Sequence, residues 1–112
     1  TGLHVERADA AEWLVQKLNA RAQDAATIVY HSVFLQYPPR AAREAIVDAI
    51  TAAGERSTSG APLAWVRLEP EALTDGIENS PRMVIDITTW PGGTRRIIGY
   101  TDGHARAVYA VE

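Results

Sequence analysis

Residues 26–35 are apolar or β-prone almost without a break and show no clean alternation, which is the pattern of a strand buried on both faces. The run ends in Gln36, Tyr37, Pro38 and Pro39, a proline-stopped loop that opens a helix. Ahead of it, Leu3, His4 and Val5 make a short β-prone start. Asp9 and Glu12 then stand at the spacing of a capping box. Trp13, Leu14, Leu18 and Ala22 follow at helical intervals, so a helix is expected to about Arg21 with one face on a sheet.

After the prolines, Ala42, Ile46, Ala49, Ile50 and Ala53 form a second helical stripe, with Arg40 and Glu44 as an exposed i,i+4 pair and Gly54 closing the helix. Residues 55–61 are polar. Residues 63–69 read as a strand whose more apolar face carries Ala64, Val66 and Leu68. Strand, helix and strand make a βαβ crossover, so these two strands should be parallel. The grammar then changes. Residues 71–80 have weak helical content, and Met83, Ile85 and Ile87 alternate with Val84, Asp86 and Thr88 up to Trp90. Pro91, Gly92 and Gly93 supply a turn, and 95–101 is again β-rich, which predicts an antiparallel hairpin. Asp102 and Gly103 signal another turn, with 105–111 as an edge strand. The expected fold is therefore α/β and a single domain over 1–112: a partial Rossmann-like sheet of parallel strands with two helices, continued by an antiparallel C-terminal hairpin.

Composition narrows the function classes. There is no cysteine, so disulfide frameworks and thiolate metal sites are excluded. A net charge of −3 with scattered basic residues argues against a nucleic-acid surface. Arg95 and Arg96 are adjacent but alternate faces of the hairpin, where solvation or edge protection is the expected role. No apolar stretch is long enough to span a bilayer and no signal segment opens the chain, so no membrane partner is expected and the cytoplasm is the default. His4, His31 and His104 lack paired-ligand spacing, and no metal site is expected. Ligands of open α/β sheets sit beyond the carboxyl ends of strands, which makes Tyr30, His31, Ser32, Gln36 and Tyr37 the candidate substrate-binding residues. A histidine inside an apolar strand reads first as a packed, hydrogen-bonded residue, and no catalytic residue is assigned.

The element order resembles the C-terminal half of a class I S-adenosylmethionine-dependent methyltransferase Rossmann domain. In that resemblance Asp9 and Ala10 match the acidic and small residues that contact the cofactor's adenine, although Asp9 serves equally as a helix cap. Tyr30, His31 and Ser32, the run from Gln36 to Pro39, the stretch from Leu63 to Pro70, the turn at Trp90 to Gly93, and Asp102 to His104 are similar to the bacterial domain of unknown function 2332 family. The glycine-rich turn and the ribose-binding carboxylate of a methyltransferase would lie upstream of Thr1. The resemblance thus implies a half-domain without a complete cofactor site, non-catalytic as it stands, with S-adenosylmethionine belonging to a full-length parent. It implies an upstream half-domain or self-association as the partner; an enzyme completed by the upstream half and a small self-associating module are the alternatives.

Overall fold

The computed structural model describes residues 10–102 and 108–110, and the expected strand at residues 3–5 lies outside them. Helix α1 (Ala10–Asn19) leads into β1 (Thr27–Ser32), α2 (Arg40–Glu55), β2 (Leu63–Pro70) and the single-turn α3 (Glu71–Thr74). Strands β3 (Arg82–Trp90), β4 (Thr94–Asp102) and β5 (Val108–Ala110) follow. The five strands form one sheet in the order β1-β2-β3-β4-β5. Strands β1 and β2 are parallel, with Thr27 opposite Leu63 and Ser32 opposite Leu68. The remaining pairs are antiparallel, with a register shift between Ile85 and Asp86 on β3. The βαβ crossover, the hairpin and the short last strand are thus as the sequence predicts, in a mixed α/β fold.

The core lies between one sheet face and the helices. Leu18 of α1 and Ile46, Ile50 and Ala53 of α2 pack on Leu63 and Trp65 of β2 and Trp90 of β3, with Leu35 closing the same cluster. Their spacing on α2 is the helical stripe of the sequence. Gly54 does not close α2: the helix continues to Glu55, and Arg56 donates its amide to the Ala52 carbonyl. Gly54 is buried because a Cβ there would overlap the Trp90 indole. Its role is close approach of helix to sheet.

Two strand expectations are corrected. Strand β1 is not buried on both faces: its residues alternate half-buried and exposed, with Val29 on the core cluster and Ile28 and Tyr30, on the opposite face, 70% and 69% exposed. On β2 the buried face is Leu63, Trp65, Arg67 and Glu69, whereas Ala64, Val66 and Leu68 are only half-buried. The two charged residues point inward because partners on neighbouring elements satisfy them, a carboxylate for Arg67 and hydrogen-bond donors for Glu69. Asp86 of β3 is likewise fully buried.

Candidate functional site

Strand β1 stops at Ser32, and the next residue, Val33, adopts a φ of 48°. A β-branched residue is strained in that left-handed region, so its neighbours must hold it there. The Val33 amide donates to the Leu68 carbonyl at 2.8 Å. The next two amides, of Phe34 and Leu35, donate to Glu69 Oε1 at 3.0 and 3.2 Å. Glu69 Oε2 also accepts from Phe34 N at 3.1 Å and from His31 Nδ1. Trp65 Nε1 donates to His31 Nε2 at 2.9 Å. An indole N–H can only donate, so Nε2 is the acceptor and Nδ1 carries the proton bound by Glu69. Both ring nitrogens of His31 are therefore engaged, and the imidazole is a link between two β2 side chains rather than a free base.

One residue pair further into the sheet, the register places His31, Arg67 and Asp86 in one row across β1, β2 and β3. Arg67 Nε binds both Asp86 oxygens, at 2.8 and 3.1 Å, and its Nη2 adds a bond of 3.0 Å. Its guanidinium lies 4.5 Å from the centre of the Trp65 ring. Arg95 of β4 donates to Asp86 Oδ2 at 2.7 Å and, with both terminal nitrogens, to Asp75 at 2.6 and 3.1 Å. The charges alternate along this chain, so each cation lies against an anion. Arg95 thus bridges Asp86 and Asp75, a pairing the sequence does not suggest, whereas Arg96 is exposed.

The hydrogen bond from Arg95 holds the Asp75 carboxyl below its ordinary range, and Asp75 in turn keeps Arg95 more firmly protonated. Glu71 is lowered for the same reason, chiefly by Arg82, whose Nε and Nη2 bind it at 3.1 and 2.7 Å, and then by Ser80. Carboxyls lowered in the folded state bind protons more readily when unfolded, so their contribution is complete above the ordinary carboxylate range and is lost as pH falls through it. The urea midpoint is expected to stay level from neutral pH down to about pH 5 and then to drop. Arg82→Met should flatten that drop. An acid limb unchanged in Arg82→Met would remove Glu71 from it.

Of the sequence candidates, the structure brings Tyr30 and His31 to one place: a cavity of about 260 Å³ walled by Trp13, Leu14, Val29, Phe34, Ile46 and Ile50. Ser32 is exposed at the strand end. Gln36 and Tyr37 are exposed in the following loop, Tyr37 by 74%, and line none of the described cavities. Asp9 lies outside the described residues, and Ala10 opens α1. Sequence reasoning missed Glu69, Arg67, Trp65, Asp86 and Trp13. The signal for the first two was present as charges two apart in a strand otherwise made to be buried. A second cleft, of about 400 Å³, runs between α2 and α3 over Trp65 and Arg67, with Arg43 donating to the Leu35 carbonyl at 3.4 Å on its rim. Among the described residues no group of side chains is arranged to hold a metal ion, and no helix is long and apolar enough to cross a membrane.

The fold and this network define a mixed α/β domain with one parallel strand pair and a charged, internally satisfied strand end. The family described as an uncharacterised protein conserved in bacteria, DUF2332, matches residues 1–109, and the chain belongs to it. No curated protein and no solved structure matches the chain.

Proposed function

We propose that this chain is a non-catalytic C-terminal half of a methyltransferase-like α/β domain, without a complete cofactor site, which joins its other half along the outer edge of β1. The observation that carries this reading is the position of Glu69. In open α/β sheets, backbone N–H groups at a strand-to-helix turn are where a ligand's negative group is received. Here those of Phe34 and Leu35 are taken by the chain's own carboxylate, which also holds His31. The link from β1 to α2 carries no glycine, and α3 follows β2 directly. Close approach of a cofactor to the backbone has no place at either turn.

Calorimetric titration of S-adenosylmethionine into the chain is the test. No saturable binding is expected up to about 1 mM, and a dissociation constant in the micromolar range overturns the reading. A second reading, a self-associating module, is favoured by the β1 edge: Thr27–Ser32 contains no charge, proline or described bulge, the devices that blunt an edge. Sedimentation equilibrium tests the edge. A discrete dimer that Tyr30→Lys dissociates supports the module, and a strict monomer at high concentration counts against both an assembling edge and a missing other half.

A further inference from the structure

At the end of the sheet away from Glu69, the last turns of α1 and α2 lie side by side, and Arg21 and Arg56 stand just beyond them. They border a pocket of about 390 Å³ that Asn19, Gln23 and Thr58 also line. A cation past a helix C-terminus ordinarily offsets the helix dipole or binds the last carbonyls. Here three of the last carbonyls of α2 and one of α1 are served by other groups. Gln16 O accepts from the Ala20 amide, Ala52 O from the Arg56 amide, Gly54 O from the Ser57 amide, and Ala53 O from the Ser57 hydroxyl.

The guanidiniums themselves bind neutral side-chain oxygens. Arg21 Nη2 donates to Ser57 Oγ at 2.8 Å, and Arg56 Nη2 donates to Asn19 Oδ1 at 3.2 Å. Arg21 Nη1 is closed off from solvent and has no hydrogen-bond partner among the described residues. A buried cationic nitrogen without an acceptor is costly, and most such groups are satisfied. No carboxylate lines the pocket, and among the described residues neither arginine has an acidic partner. Elsewhere the chain does pair such groups: Arg67, Arg82 and Arg95 each hold a carboxylate.

We propose that the pocket between the C-terminal ends of α1 and α2 binds a phosphate group, with Arg21 and Arg56 as its charge partners. Two guanidiniums, the amides of Asn19 and Gln23 and the Thr58 hydroxyl suit a dianion with several oxygens better than a carboxylate with two. Leu18, Ala22 and Ala61 complete the lining, which gives apolar surface to the organic part of a small phosphomonoester. The site is independent of the half-domain reading, because it shares no residue with the Glu69 network.

The test is calorimetric titration of the chain with inorganic phosphate and with glycerol 3-phosphate at fixed ionic strength, with glycerol as the uncharged control. Saturable binding of a phosphate compound is expected, weakened about tenfold or more in both Arg21→Gln and Arg56→Gln. The exposed Arg40→Gln, on the first turn of α2, should leave it unchanged. Tighter binding of the monoester identifies an organic phosphate, and tighter binding of phosphate itself identifies the free ion. Arg56→Gln is the decisive variant if Arg21→Gln does not fold, since the Arg56 side chain is exposed. Absence of saturable binding at about 10 mM of either anion overturns the proposal, as does equal binding by Arg56→Gln.

Discussion

Asp86→Ala is expected to destabilise the protein by about 3–5 kcal/mol, because it strips a buried arginine of its only described anionic partner. Asp86 is fully buried and receives three hydrogen bonds from Arg67 and one from Arg95. Arg95 retains Asp75, but Arg67 is left charged with no other carboxylate bound to it among the described residues. Against a typical total stability of about 5–15 kcal/mol, that loss takes a domain of this size close to unfolding. Urea titration followed by tryptophan fluorescence measures it. The double variant Arg67→Leu with Asp86→Leu should recover most of the loss, since burying neither charge avoids both desolvation costs. A single substitution costing under about 1 kcal/mol would mean that the row carries little of the fold's stability.

The second large effect belongs to Glu69. In Glu69→Gln the side chain keeps its size, yet its amide nitrogen must face either His31 Nδ1–H or the amides of Phe34 and Leu35, a donor against donors. A loss of about 2–3 kcal/mol is expected. It should be accompanied by loosening of Phe34 and Leu35, since their two amides bind Glu69 beside the strained Val33. Hydrogen exchange at Phe34 and Leu35 reads the local effect separately from global stability. Unchanged protection of both amides would show that the turn holds itself without the carboxylate.

Most of the architecture was legible because it rests on periodicity. The stripe on α2, the parallel pair implied by strand-helix-strand order, and the turn at Pro91 to Gly93 each follow from a local pattern; of the α1 stripe Leu14 and Leu18 reach the core, while Trp13 and Ala22 are exposed and the helix stops at Asn19. What was not legible depends on neighbours distant in sequence. The apolar run from 26 to 35 looked like one doubly buried strand because Phe34 and Leu35 reach the core from a loop, while Ile28 and Tyr30 are apolar and yet exposed. No periodicity reports whether both faces of a strand are covered. Arg67 and Glu69 read as solvent-facing because charge ordinarily means exposure, and their partners lie 19 and about 35 residues away. His31 fared better: a histidine in an apolar strand reads as hydrogen-bonded, and its two partners are in place. The Arg21 pocket left no mark in the sequence, since an arginine after a helix is ordinary and only its neighbours make it unusual.

The order of the strands also bears on how the chain assembles. Strands β2 to β5 each pair with the next in sequence, so that meander closes shorter loops, whereas β1 meets β2 only after a crossover that includes all of α2. Closing the longer loop carries the larger entropy cost, and a transition state built from local contacts is reached sooner. The meander is therefore the natural nucleus, and β1 with its two helices condenses onto it late. The strand expected to join last is the same one whose outer edge pairs with no described strand, which makes β1 the element most easily exchanged between chains.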